Sequence, residues 1–266
     1  MTVETDKLLE RAILASFNAG KAILEVYDSD FTVENKKDNS PLTLADKRAH
    51  EIISDVLSST KISLLSEEGK AIPYSERKQW GRFWLIDPLD GTKEFINRNG
   101  EFTVNIALIE NNKPVMGVIY VPVKKTLYYA SKEMGSYKIA DVNVDSMVAN
   151  DFFLQAQKLP VKNTKTKFAI VSSRSHATKE TENFISEMQK IHGEINCISA
   201  GSSLKMCYVA EGSADVYPRF GPTMEWDTAA GQVIAECAGK QFIDCVTKNP
   251  MTYNKEVLLN NSFIVR

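Results

Sequence analysis

The segment Trp84-Leu85-Ile86-Asp87-Pro88-Leu89-Asp90-Gly91-Thr92 ends an apolar run on two carboxylates three residues apart. Pro88 is expected to stop the strand ladder there. Oxygen-only ligands of this kind suit a magnesium ion, which takes near-octahedral oxygens at about 2.0–2.1 Å and keeps waters and substrate phosphates among them. Asp87, Asp90 and the Leu89 carbonyl can supply protein oxygens, while the amides around Gly91 and Thr92 can face a phosphate. The same D-P-x-D-G composition also makes an ordinary turn, so this segment alone leaves both readings open. Two further acidic segments lie at predicted element ends, Ser66-Glu67-Glu68 after a strand and Glu225-Trp226-Asp227-Thr228 at a helix start. Taken singly, Glu67 reads as a loop acid, Asp227 as a helix N-cap, and Asp46 as the acid of a capping box opened by Thr43. Should they converge, Glu67, Asp87, Asp90 and Asp227 cannot all stay ionised in a partly dry cleft, and two or more divalent ions would resolve the repulsion.

The elements that must position these residues follow from periodicity. Residues 5 to 27 form an amphipathic packing helix, with Ala12, Ala15, Ala19 and Ala22 beside a stripe of Leu9, Ile13 and Phe17. A second helix begins after Asn39-Ser40-Pro41 and carries Ile52, Ile53 and Leu57. The period then changes to strands at Ile62 to Leu65, Phe83 to Ile86, Phe102 to Ile109, Val115 to Val121 and Leu127 to Ala130. After a Lys-rich stretch the order becomes strand (Phe168 to Ser172), helix (Lys179 to His192), strand (Ile195 to Ser199), helix (Ser202 to Glu211), strand (Ala214 to Tyr217) and helix (Thr228 to Ala238). Residues 1–160 thus read as an α+β half carrying most of the acids. Residues 161–266 read as an α/β half carrying Asp227, with a soft boundary at 158–167 and a shared cleft.

Composition narrows the chemistry. The chain has 266 residues with 32 Lys and Arg against 34 Asp and Glu, a balance that argues against a basic nucleic-acid wrapper. No apolar run approaches the roughly 18–20 residues of a membrane span, and Glu4 and Asp6 stand where a signal peptide would be basic. The cytoplasm is the expected address, with peripheral attachment to the inner membrane and the oligomeric state left open. Cys197, Cys207, Cys237 and Cys245 form no CxxC pair, and His50, His176 and His192 form no HExxH. Metal chemistry here falls to oxygen ligands.

Together, Ser66-Glu67-Glu68, Asp87-Pro88-Leu89-Asp90-Gly91-Thr92 and Glu225-Trp226-Asp227-Thr228-Ala229-Ala230-Gly231 resemble, in order and across the chain, three signatures of the inositol monophosphatase superfamily. These are lithium-sensitive, magnesium-dependent phosphomonoesterases. Within it, Gly91-Thr92-Lys93-Glu94-Phe95-Ile96 and Gly201-Ser202-Ser203-Leu204-Lys205 resemble the bacterial 3'(2'),5'-bisphosphate nucleotidases. The resemblance implies a layered αβαβα sandwich. It implies two or three Mg²⁺ ions held by Glu67, Asp87, the Leu89 carbonyl, Asp90 and Asp227, with Asp46 and Thr92 positioning and deprotonating the attacking water. Gly91 and Thr92, with the metal acids, would also border the substrate.

A bisphosphate nucleotide brings a second phosphate that needs its own cations. Ser202 and Lys205 lie three apart on one face at a predicted helix start, and Arg219 follows a strand and can close on the same group. Ser173 and His176 match the family's substrate-contacting turn. Lys93 and Arg98 are further basic candidates, and each of these residues reads equally as a solvated surface group. The implied reaction is hydrolysis of adenosine 3',5'-bisphosphate to AMP and phosphate, and also of 3'-phosphoadenylyl sulfate, recycling a by-product of sulfate assimilation. The alternatives are an inositol or sugar monophosphatase on the same scaffold, and a catalytically silent nucleotide or metal sensor. A silent sensor is expected to have lost an acid or the threonine, and none is missing here.

Overall fold

The computed structural model describes residues 3–29, 41–143, 153–161, 165–174 and 178–266. Helices α1 (Val3–Tyr27) and α2 (Pro41–Ser58) precede one seven-stranded sheet whose spatial order is the chain order. Its strands are β1 (Ser63–Ser66), β2 (Arg82–Asp90), β3 (Thr103–Glu110), β4 (Lys113–Val121), β5 (Thr126–Ser131), β6 (Gly135–Ile139) and β7 (Gln157–Lys158). Short helices α3 (Tyr74–Arg77) and α4 (Thr92–Ile96) flank β2. β1 and β2 are parallel, and every later pair is antiparallel.

Period-two alternation divides this sheet between two cores. Trp84, Ile86, Val104, Ile106 and Leu108 face α1 and α2, packing with Ile13, Phe17 and Ile53. Phe83, Leu85, Ala107 and Ile109 face the other way, onto α6 (Leu204–Glu211) and α7 (Glu225–Cys237). Beyond these helices lie β8 (Ala169–Ser173) and β9 (Asn196–Ala200), a parallel pair, and the antiparallel set β10 (Tyr217–Arg219), β12 (Phe263–Val265) and β11 (Phe242–Asp244). A parallel bridge from Ile170 to Val216 joins the two small sheets. Helix α5 (Lys179–His192) closes the outer layer, where Phe184 meets Phe220 at 6.1 Å between ring centroids. The layers are therefore α, β, α, β, α, as the resemblance implies.

Helix α7 lies close on β4 because of Gly117. A Cβ there would fall 2.5 Å from Val233 Cγ1 and 2.6 Å from the Ala230 carbonyl oxygen, inside any permitted contact. Gly117→Ala is expected to cost about 1–3 kcal/mol through overpacking, read as a lower urea midpoint at unchanged slope. An unchanged midpoint would mean that α7 does not seat on β4 this closely.

Several sequence-based boundaries move. Helix α2 already begins at Pro41, so Thr43 lies inside the first turn and does not cap it; proline suits a first helical position because the N–H it lacks would be unpaired there. β2 does not stop at Pro88. It passes through it with a register shift between Asp87 and Asp90 and re-pairs at Asp90 opposite Thr103, a bulge being where a strand tolerates a missing donor. Helix α7 begins at Glu225, three residues before the expected Thr228. β6, β7, β11 and β12 are short strands without a strong apolar alternation, and periodicity did not reveal them. Among the described residues no helix is long and apolar enough to cross a membrane.

Candidate active site

Parallel pairing of β1 and β2 brings both C-terminal ends to one sheet edge. The Glu67 N–H donates to the Ile86 carbonyl (3.1 Å), extending the pairing by one residue and setting Glu67 beside the end of β2. Residues three apart on a regular strand face opposite sides, so Asp87 and Asp90 would diverge. The bulge between them turns both toward the same cleft. Asp87 is 1% exposed, and its Oδ1 accepts the Leu89 N–H (3.1 Å). Asp90 Oδ2 accepts the Ser203 N–H (2.6 Å) and the Asn105 amide (3.3 Å). Asp227 is the third residue of α7 and reaches back to the Met224 N–H (2.9 Å); it is the acid at the third helical position and not the N-cap itself. Asp46 enters from α2, which packs on β2.

These acids share one field. Burial pushes Asp46 up to about 8, with Glu68 and Glu67 adding to the rise. Burial drives Asp87 well above the usual carboxylate range, reinforced by Asp90, Glu67, Asp227 and Asp46. Asp227 is pushed up to about 7 by burial and then by Asp90. Asp90 is raised by burial while Lys205, Asn105 and Ser203 pull it back. Glu67 opens most to solvent, yet partial burial of its carboxyl raises it too, with Asp90 and then Glu68 adding to the rise. Arg219 opposes the rise at Asp227.

The donor set fits a hard cation. Two buried polar atoms of this cleft or its rim, Asp46 Oδ1 and Arg219 Nε, lack a hydrogen-bond partner among the described residues. An orphaned carboxylate oxygen among repelling acids suits a divalent ion or the water it holds, and an orphaned guanidinium N–H suits an anion. Among the described residues no three acidic, histidine or cysteine side chains are gathered to ligand distance.

The residues expected to meet substrate divide. Gly91 (φ 103°) caps α4, whose first residue is the exposed Thr92; a Cβ at Gly91 would lie 3.2 Å from Phe102 Cα and 3.3 Å from Ser202 Cβ. Helix α4 touches α2, bringing Thr92 to the side of the cleft that carries Asp46, whose Oδ1 its hydroxyl does not reach. Leu89 is buried at 2% exposure. Ser202 and Lys205 do not share a helical face: α6 starts at Leu204, and Ser202 precedes it with a left-handed φ of 45°. The Ser202 hydroxyl donates to the Glu101 carbonyl (2.8 Å). Lys205, 5% exposed, donates from Nζ to the carbonyls of Ser202 (2.5 Å) and Ala200 (3.4 Å), and burial lowers it to about 8. Arg219 donates to the Pro222 carbonyl (2.9 Å), leaving its Nε unpartnered. Ser173 ends β8, paired with Ala200. His176 lies outside the described residues. Arg98 turns away from the cleft and donates to the Tyr27 and Ser29 carbonyls (both 2.8 Å) at the end of α1, as cations at helix C-termini do.

Other contributors were not singled out from sequence. Glu68 adds to the field that raises Asp46. His50, one turn beyond Asp46, meets the Ser66 hydroxyl through Nδ1 (2.9 Å) and ties α2 to the end of β1. Glu225, fully buried, accepts the N–H groups of Asn254 (2.6 Å) and Lys255 (2.9 Å) and fixes the start of α7. Thr103, Asn105 and Ser203 underlie Asp90. Polar residues at alternate positions 103 and 105 of an otherwise apolar strand were the available signal.

Five layers with an acid-lined cleft at the edge of the large sheet define the class. The chain belongs to the inositol monophosphatase family, whose model matches residues 4–265. It is 43% identical over 262 residues to the 3'(2'),5'-bisphosphate nucleotidase CysQ of Salmonella typhimurium, covering 97% of this chain and 99% of that protein. It is 42% identical over 263 residues to the protein of the same name from Escherichia coli K12, again covering 97% and 99%. Among solved structures, that of CysQ from Bacteroides thetaiotaomicron, a bacterial member of the inositol monophosphatase family, superposes with a TM-score of 0.90 at 48% identity, covering 100% of this chain and 98% of that one.

Proposed function

We propose that this protein is a magnesium-dependent phosphomonoesterase that hydrolyses adenosine 3',5'-bisphosphate to AMP and phosphate, and also accepts 3'-phosphoadenylyl sulfate. The observation that carries the reading is the acid set Asp46, Glu67, Asp87, Asp90 and Asp227 raised together in one cleft, with the buried Lys205 acting on Asp90 and Arg219 on Asp227. The names of relatives similar over nearly the whole chain support the substrate class.

In this reading Glu67, Asp87, the Leu89 carbonyl, Asp90 and Asp227 would hold two or three Mg²⁺ ions. Such ions supply Lewis acidity, acidifying a water and screening the departing ribose oxygen. Asp46, through its unpartnered Oδ1, accepts the proton of the attacking water by way of the Thr92 hydroxyl, which α4 carries on the same side of the cleft. Water oxygen bonds to phosphorus as the P–O3' bond breaks, in line and without a covalent enzyme intermediate, and the departing O3' takes a proton from solvent water to become the hydroxyl of AMP. Arg219 and Lys205 hold the 5'-phosphate; an anion at Lys205 also favours its ammonium form, which burial otherwise disfavours. Residues 1–160 and 161–266 then close on the cleft from its two sides.

Phosphate release with Mg²⁺ from adenosine 3',5'-bisphosphate is expected to exceed release from inositol 1-phosphate, and Arg219→Ala to narrow that preference by raising KM for the nucleotide. Faster turnover of the inositol ester would assign the site to an inositol or sugar monophosphatase instead. Binding without turnover would make the protein a sensor.

A further inference from the structure

Beneath Asp90 lies a fully buried polar cluster in an otherwise apolar core. Thr103 is 0%, Asn105 1% and Ser203 1% exposed. Asn105 Oδ1 is 3.0 Å from the Thr103 hydroxyl and 2.8 Å from the Ser203 hydroxyl, and the two hydroxyls are 2.8 Å apart. The Asn105 amide nitrogen faces Asp90 Oδ2 at 3.3 Å, and the Ser203 N–H reaches the same oxygen at 2.6 Å.

Donor and acceptor chemistry orients this amide. An ionised carboxylate only accepts, so the face toward Asp90 must be NH₂. A flipped amide would set its oxygen against the carboxylate, a buried repulsion. Two hydroxyl protons sit on the opposite side with a carbonyl-type acceptor between them, which holds the amide in the same sense. Both contacts to Asp90 fall on Oδ2, leaving Oδ1 for the cleft. Ser203 precedes α6, far along the chain from β3, so the cluster forms only when the β9–α6 connection docks on the large sheet.

We infer that Asn105 is a positioning residue for Asp90, its amide oriented by the Thr103 and Ser203 hydroxyls so that one carboxylate oxygen is fixed and the other is presented to a divalent cation. The inference rests on the reading of Asp90 as a cation ligand, but not on which phosphate ester is cleaved. Partners that orient a ligand in this way are worth about 10–100-fold in metal affinity.

The test titrates the full-length protein with Mn²⁺, a paramagnetic stand-in for Mg²⁺, and reads free Mn²⁺ by electron paramagnetic resonance. Asn105→Ala is expected to weaken binding about tenfold or more. The double variant Thr103→Val with Ser203→Ala, which leaves side-chain volume nearly unchanged, is expected to weaken it in the same direction. Thr103→Ser, keeping the hydroxyl, stays close to wild type. In phosphate release, the Mg²⁺ concentration for half-maximal rate rises for the weakened variants while kcat at saturating Mg²⁺ falls much less. If Asn105→Ala fails to fold, the double variant carries the test. A purely structural cluster would lower Tm in chelator and leave Mn²⁺ affinity alone, and that result overturns the inference, as does a wild type that binds no Mn²⁺. A wild type that binds Mn²⁺ with this order among variants, yet does not cleave the nucleotide, overturns the functional proposal and leaves the positioning role intact.

Discussion

Asp87→Asn is expected to lower kcat/KM for phosphate release by about 10³-fold or more, since metal-assisted charge stabilisation is worth several kcal/mol and each 1.36 kcal/mol is a factor of ten. The same substitution should raise, not lower, the Tm of the metal-free protein. Asp87 is 1% exposed, and its charge is opposed by burial and then by Asp90, Glu67, Asp227 and Asp46. Asparagine keeps the acceptor that receives the Leu89 N–H, so the local turn survives while one unit of repulsion disappears. A functional site that stores strain trades stability for activity in this manner. Differential scanning fluorimetry in chelator, beside initial rates in Mg²⁺, reads both halves. Loss of activity with a large drop in Tm would instead mark Asp87 as a structural residue.

Removing divalent ions from the wild type should expose the same repulsion as a pH dependence of stability. Asp46 and Asp227, ordinarily at 3.8, are pushed up to about 8 and about 7 in the folded protein. Between those ordinary values and the raised ones, the native state binds more protons than the unfolded chain. The slope of unfolding free energy with pH is therefore negative, and stability is lost as pH rises through that window. Chelated protein should melt several degrees lower at pH 8 than at pH 5.5. Lys205, lowered from 10.5 to about 8, acts with the opposite sign but mainly above pH 8, outside this comparison. Millimolar Mg²⁺ at pH 8 should restore Tm by binding only the folded state, and Asp87→Asn should flatten the pH slope. A chelated protein whose Tm is level or rises from pH 5.5 to 8 would refute a mutually repelling acid cluster.

Much of this was legible along the chain because it is local. The packing stripe of α1, the span of α5 and the central strands follow from periodicity, which a helix or strand records in consecutive residues. The acids were legible by position, since Ser66-Glu67-Glu68 and Asp87 to Asp90 sit where apolar runs end. What was misjudged depended on partners elsewhere. Ser202 and Lys205 looked like two residues of one helical face, but docking on Glu101 holds Ser202 in a left-handed turn before the helix begins. Arg98 was a basic candidate near the metal loop with its direction left open, and the carbonyls ending α1 decide that direction. Pro88 looked like a terminator, yet β3 accepts a bulge opposite it and re-pairs at Asp90.

The sequence by itself determined which side chains exist for the chemistry: an all-oxygen acid set, a threonine beside it, and no cysteine or histidine motif to compete for metal. Tertiary structure alone decided that these acids face one another. Three events produce that convergence: parallel pairing of β1 with β2, the bulge that turns Asp87 and Asp90 to one side, and the seating of α7 on the sheet at Gly117. Each is a contact between distant segments, stabilised by burial that no short window of residues encodes. The perturbed acids exist for the same reason, because a carboxylate departs from its ordinary pKa only when the fold removes its water and brings other charges beside it.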